Sequence, residues 1–188
     1  MLWNMLQDDD RQEPFTLLDP TCGSGTFLAL AIDRGMRVEA YDCNPQCVDG
    51  SRRNMEYLFA GNDDSTFDEL QVSLHDATNL FPISKADHMV DCVIANLPWG
   101  VNSVDYVDQN ASILKSVRNR VDSKTPCAFV TRGGDLDLFV SSGFKVFGQA
   151  HVPQRGFQLP KGSKKKKDAK GLERNGRNHC VVTIAMAK

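Results

Sequence analysis

Short apolar runs alternate along this chain with segments whose apolar residues recur at helical spacing, and the alternation is regular from residue 15 onward. Residues 15–19 (FTLLD) are a short apolar run that ends at a glycine-rich turn, and residues 26–35 (TFLALAIDRG) read as a helix stopped by Gly35. Residues 37–42 (RVEAYD) alternate as a second strand. Asn44 suits an N-cap and Pro45 the first helical position, so a second helix is predicted over 44–61, ending at Gly61. Residues 70–76 (LQVSLHD) form a third strand, and residues 89–96 (MVDCVIAN) a fourth that is apolar enough for the centre of a parallel sheet.

The second half continues the pattern. Val107, Ala111, Leu114, Val117 and Val121 repeat at helical spacing within 106–121, and residues 126–132 supply a fifth strand. A short helix over 135–143 precedes two final strands, 144–152 and 179–187, joined by a long polar connection that is lysine-rich near 160–178. With nothing helical between them these two strands are expected to pair antiparallel. The sum is an α/β fold with a doubly wound, Rossmann-like sheet, mostly parallel, ending in an antiparallel hairpin with one reversed edge strand. Residues 1–14 are read as an N-terminal extension and 15–188 as one domain.

Composition agrees with that picture. A chain of 188 residues with 41% hydrophobic and 24% charged residues is neither disordered nor fibrous. No apolar stretch is long enough to span a membrane, and the start MLWNMLQDDD lacks the basic and apolar regions of a signal peptide, so a cytoplasmic or nuclear protein without membrane partners is expected. The six cysteines contain no C-x-x-C pair and read as reduced core residues; Cys43 and Cys47, four apart, have no second ligand pair nearby, and no metal is expected. The net charge of −2 conceals an asymmetry: residues 1–100 hold 6 basic against 17 acidic residues, and residues 101–188 hold 16 against 7. The C-terminal half is the side expected to meet a polyanion, although part of its excess is the single run KGSKKKKDAK, which could be a solvated loop.

The glycine turn carries the first candidate chemistry. In a doubly wound sheet the first strand-to-helix turn lies where ligands bind, and Gly23 and Gly25 let the backbone turn tightly and approach a ligand. The dinucleotide fingerprint G-x-G-x-x-G fails because Leu28 occupies the third glycine position, and the G-K-[ST] of a phosphate-binding P-loop is missing. Asp42 ends the second strand, where a carboxylate can accept both hydroxyls of a ribose, and Asp76 ends the third, where it can receive an adenine amino group. Taken singly, each aspartate could instead be a helix cap or a loop charge.

The fourth strand ends in ANLPWG. Asn96 offers a side-chain carbonyl, and Pro98 frees the backbone carbonyl of Leu97 from regular pairing, so two acceptors can face one NH₂ group. Trp99 adds a flat face for a planar base. A tight turn with a core tryptophan is the alternative.

LLDPTCGSGTFL resembles the glycine-rich motif of S-adenosylmethionine-dependent amino methyltransferases, and NLPWG resembles their (N/D)-P-P-(Y/F/W) motif with leucine for the first proline. With YDCNP and LHDAT between them, the order and spacing look most like the RNA guanine-N2 methyltransferases whose catalytic domains follow a THUMP RNA-binding domain. The likeness covers about residues 15–133.

The resemblance implies S-adenosyl-L-methionine as cofactor and S-adenosyl-L-homocysteine as its product. Asp19, Pro20, Thr21, Cys22, Gly23, Ser24, Gly25, Thr26 and Phe27 would line the methionine part, Asp42 with Cys43 and Asn44 the ribose, and Asp76 with Ala77 the adenine. Asn96, Leu97, Pro98 and Trp99 would form the catalytic tip, with Trp99, Gly100, Arg155 and Phe157 toward the substrate. The implied partner is RNA, with tRNA the expected species and Lys115, Arg118, Arg120, Lys124, Arg132 and Arg155 as candidate phosphate contacts. Members of this family carry an RNA-binding domain and a cofactor-covering helix ahead of the first strand. Here MLWNMLQ offers at most the last turns of such a helix, so a missing N-terminal domain or an accessory RNA-binding protein is expected to supply affinity. Two other readings stay open: methylation of adenine N6 or of a protein glutamine, and a non-catalytic cofactor-binding scaffold for a partner enzyme.

Overall fold

The computed structural model describes residues 13–60, 70–82, 89–98, 106–131, 136–153 and 179–188. A seven-stranded sheet in the order β3-β2-β1-β4-β5-β7-β6 organises them. Its strands are β1 (Thr16–Asp19), β2 (Arg37–Asp42), β3 (Leu70–Leu74), β4 (Cys92–Asn96), β5 (Pro126–Thr131), β6 (Phe144–Pro153) and β7 (His179–Ala187). The helices are α1 (Thr26–Ile32), α2 (Pro45–Leu58), α3 (Tyr106–Arg120) and α4 (Leu136–Ser141). None of the described helices is long and apolar enough to cross a membrane.

Strand periodicity sends neighbouring side chains to opposite faces, and two cores result. Leu17, Val38, Ala40, Val72 and Cys92 pack against Leu28, Ala31 and Ile32 of α1 and Val48 and Met55 of α2. Leu18, Tyr41, Val93, Ala95, Cys127 and Phe129 pack the other way, with Ile113, Leu114 and Val117 of α3 and Phe139 of α4. Val107, placed by spacing on the inward stripe of α3, is 44% exposed instead, so the stripe begins one turn later.

Strands β1 to β5 are mutually parallel where they pair. β7 runs antiparallel to both β5 and β6. The hairpin is as the sequence suggests, but the reversed strand is not the edge: β7 lies between β5 and β6. Its near-continuous apolar run HCVVTIAMA suits a strand paired on both sides. The outer strand β6 instead exposes Lys145, His151, Phe147 and Val152. Four cysteines are buried as expected, whereas Cys43, just past the tip of β2, is exposed and Cys47, in the first turn of α2, only partly covered.

Strand order reverses between β1 and β4, which are adjacent and in register at Leu17–Cys92 and Leu18–Val93. The carboxyl ends of these two strands therefore open side by side at the switch point where such sheets hold ligands.

Candidate functional site

Asp19 closes β1 and is completely buried. Its Oδ1 accepts the Thr21 N–H at 3.1 Å, while Oδ2 is buried with no hydrogen-bond partner among the described residues. Burial pushes its pKa from 3.8 up to about 7, opposed by the Thr21 bond and reinforced by the nearby Asp42 charge. Beyond Asp19 the chain turns through Gly23 and Gly25, at φ +53° and +87°. A side chain on Gly25 would meet Ser51 Cβ at 3.1 Å and Met55 Cε at 3.2 Å, so glycine lets α1 start against α2. A side chain on Gly23 would meet nothing within 4 Å among the described residues, which leaves that side of the turn open.

Asp42 ties the turn to the next strand. Its Oδ2 accepts the Gly23 N–H at 2.9 Å and its Oδ1 the Asn44 N–H at 2.8 Å. Asn44 in turn caps α2 by accepting from Gln46 N at 3.0 Å. Each carboxylate oxygen keeps a further lone pair, so Asp42 can shape the turn and still receive hydroxyls. Cys22 N donates to the Tyr41 carbonyl at 2.8 Å, and Asn54 Nδ2 to the Ser24 carbonyl at 2.9 Å. The Cys22 thiol, pushed up to about 12 mainly by burial, is not a reactive thiolate. Thr26 is exposed, Phe27 half-buried and Pro20 buried.

The tip of β3 joins the same rim. His75 N donates to the Asp42 carbonyl at 3.0 Å, and the His75 ring packs on Tyr41 and Phe81 with centroids 5.4 and 5.3 Å away. Asp76 Oδ1 accepts from Thr78 N at 3.0 Å and Thr78 Oγ1 at 2.8 Å, which holds its carboxyl below the ordinary range. Ala77 is buried behind it, and Ser116 of α3 donates through Oγ to the Asn79 carbonyl.

The β4 tip stands opposite. Asn96 is exposed, and its backbone carbonyl accepts the Thr21 hydroxyl at 3.2 Å, so the two motifs meet directly. Leu97 is fully buried, with its N–H on the Val130 carbonyl at 3.0 Å. The Pro98 carbonyl accepts from Asn110 Nδ2 at 3.1 Å. The structure thus gathers Asp19 through Phe27, Asp42 to Asn44, Asp76, Ala77 and Asn96 to Pro98 along one edge. Trp99, Gly100, Arg155 and Phe157 lie outside the described residues, as do Arg132 and the lysine run.

Two of the expected phosphate contacts are otherwise engaged. Arg120 Nη2 and Nε bond Glu39 Oε2 and Oε1 at 2.7 and 3.3 Å, and Tyr41 Oη donates to Glu39 Oε1 at 2.9 Å. Arg118 donates to the Val121 and Lys188 carbonyls. Lys124 N donates to Ala187 O, and Pro126 at the start of β5 pairs with Met186. The C-terminal end of α3 therefore lies at the amino ends of the parallel strands, away from Asn96. Three polar residues escaped the sequence reading: Asn54, Asn110 and Ser116. The last two are each 3% exposed and lie among the apolar residues of α3, so a polar residue within that stripe was the available signal.

No family model matches the chain. A tRNA (guanine(10)-N2)-dimethyltransferase from Methanothermobacter thermautotrophicus is 22% identical over 135 residues, 69% of this chain and 37% of that protein. Among solved structures, TrmN from Thermus thermophilus superposes with a TM-score of 0.65 at 19% identity, covering 100% of this chain and 47% of its own. Magnesium protoporphyrin IX methyltransferase from Synechocystis PCC 6803, solved with bound SAM, gives 0.62 at 10% identity, with 96% and 73% covered. The chain thus spans less than half the length of the first two proteins, and these likenesses establish that its fold is that of the SAM-dependent methyltransferases.

Proposed function

We propose that this chain is the catalytic domain of an S-adenosylmethionine-dependent N-methyltransferase that acts on an exocyclic amine in RNA, with guanine N2 of tRNA as the target. The observation that carries the reading is the contact between the two motifs, Thr21 Oγ1 on the Asn96 carbonyl at 3.2 Å. It sets the β4 tip beside the glycine turn that would hold the cofactor. The guanine-N2 activity of the Methanothermobacter relative supports the choice of base and of tRNA.

The residues present fit the cofactor. Asp19 Oδ2 is a buried acceptor without a partner among the described residues, suited to the ammonium of the methionine part. The open side of Gly23 leaves room for it, and Asp42 and Asp76 lie further along the same rim for ribose and adenine. When bound, the cofactor supplies an electrophilic methyl group on a sulfonium. The rest is the protein's work. An amine conjugated with a purine ring is a weak nucleophile. The Asn96 amide oxygen and, once the cover over the fully buried Leu97 is displaced, the Leu97 carbonyl would accept its two hydrogens, favour a pyramidal nitrogen and stabilise the positive charge that grows there. Holding the amine in line with the methyl group contributes further through orientation. A base paired in a stem must first be flipped out, at about a few kcal/mol. RNA affinity then comes from outside the α3 terminus, through the lysine-rich connection or a companion domain or protein.

Incubation with labelled S-adenosylmethionine and total RNA, followed by nucleoside analysis, tests this. Labelled N2-methylguanosine is expected. Label in N6-methyladenosine moves the target to adenine, label in glutamine after a parallel incubation with total protein moves it there, and cofactor binding without transfer in either incubation leaves the scaffold reading.

A further inference from the structure

Helix α3 turns its apolar residues toward the sheet, yet a polar side chain sits among them. Asn110 is 3% exposed, beside Ile113, Leu114 and Val117, which are equally buried. A leucine there would bury more apolar surface and leave no polar atom to satisfy. Asn110 instead has one satisfied end and one unsatisfied. Nδ2 donates to the Pro98 carbonyl at 3.1 Å, and Oδ1 is buried without a hydrogen-bond partner among the described residues. An amide half unpaired is an expensive way to fill a packing position, so the bond it does make needs a reason.

That bond completes the fixing of the β4 tip. Asn96 is held at its carbonyl by Thr21 at 3.2 Å, Leu97 at its N–H by Val130 at 3.0 Å, and Pro98 at its carbonyl by Asn110. Proline fixes its own φ and offers no N–H, so the rotation left at Pro98 is ψ. A hydrogen bond to its carbonyl sets that rotation. The Leu97–Pro98 peptide is thus bracketed and, among the described residues, not itself bonded: the Asn96–Leu97 peptide before it is held by strand β5, and the Pro98 carbonyl after it by helix α3.

Resting on the reading of this tip as a grip for an amine, we propose that Asn110 is its positioning residue: it holds the Leu97–Pro98 unit so that the Leu97 carbonyl and the Asn96 amide face one point. Buried as it is, it acts through the backbone and not by touching substrate.

The test compares the full chain carrying Asn110→Leu, and separately Asn110→Ala, with the wild type. Three quantities are read: calorimetric affinity for S-adenosylmethionine, methyl transfer to total tRNA, and amide hydrogen exchange at Leu97. Cofactor affinity is expected to stay within about twofold, while kcat falls about tenfold to a hundredfold with KM for RNA little changed. The Leu97 amide should exchange faster while those of Val93 and Ile94 do not. If kcat and Leu97 exchange both stay within about twofold of wild type, the proposal is overturned. Weakened cofactor binding with faster exchange along all of β4 also overturns it, since Asn110 would then be supporting the core. If the wild type transfers no methyl group to tRNA but the Leu97 amide still exchanges faster in the variants, Asn110 holds the tip and it is the amine reading that falls.

Discussion

Replacing Asp19 with asparagine keeps the shape of the side chain and removes its charge. In the wild type this carboxyl is completely buried, with one N–H on Oδ1 and no partner on Oδ2 among the described residues, and burial raises its pKa from 3.8 to about 7. An acid whose folded pKa is raised binds its proton more tightly in the native state than in the unfolded one. Native stability therefore falls as pH climbs from the unfolded value to the folded value and is level above it. Over that window, about pH 4 to about pH 7, the shift amounts to roughly 4 kcal/mol. Asn at this position does not titrate, but it places an NH₂ where Oδ2 stood, and an unpaired buried donor costs about 1–3 kcal/mol. The Asp19→Asn variant should thus be about 1–3 kcal/mol more stable than wild type near pH 8, and no more stable near pH 4. Urea unfolding across this range measures it, since the difference between variant and wild type cancels the other titrating groups. A difference that does not change with pH would refute the buried, cofactor-ready carboxyl. Cofactor affinity gives the converse result. If an ammonium sits on Oδ2, binding needs the charged form, so wild-type affinity should improve as pH rises toward 7, and the variant should bind at least about tenfold more weakly near pH 8 without that dependence. Equal affinity in the two proteins would sink the assignment of Asp19.

Three further outcomes are expected. Asn96→Ala should cut methyl transfer about 10²- to 10³-fold while cofactor affinity stays within about twofold, and full biological activity in that variant would favour the scaffold reading. Gly25→Ala forces a side chain into φ +87° against Ser51 and Met55 and should cost about 1–2 kcal/mol in urea unfolding, whereas Gly50→Ala, in helix α2 with nothing within 4 Å, should gain about 0.5–1 kcal/mol. Arg120→Met strands the 7%-exposed Glu39 side chain with only the Tyr41 hydroxyl and should destabilise by about 3 kcal/mol, with most of the loss recovered by adding Glu39→Gln; an unrecovered loss would mean the arginine acts through packing and not charge.

Much of the fold, and the strand tips that frame the candidate site, was legible in the sequence. The runs ending at Asp19, Asp42 and Asn96 are strands that end at those residues, because period-two burial and turn residues are local properties of the chain. Asn44 and Pro45 cap and open α2 as their chemistry dictates. Strand β4 starts at Cys92 and not at Met89, since Met89 is 64% exposed and an apolar residue at a strand mouth looks locally like part of the strand. Two of the basic residues, Arg118 and Arg120, show the same limit of local reading. A charge count places Arg118 and Arg120 on the basic half of the chain, but not at which end of the sheet their helix finishes.

By itself, then, the sequence determined which segments are strands and helices, the glycine turn, and the order of the acidic tips, since each depends on residues a few positions apart. The tertiary structure alone decided that β7 slips between β5 and β6, that Thr21 reaches the Asn96 carbonyl, and that Asn110 holds Pro98. Those contacts join strands and loops distant in sequence, and they exist only once the sheet has chosen its order and two cores have closed on its faces.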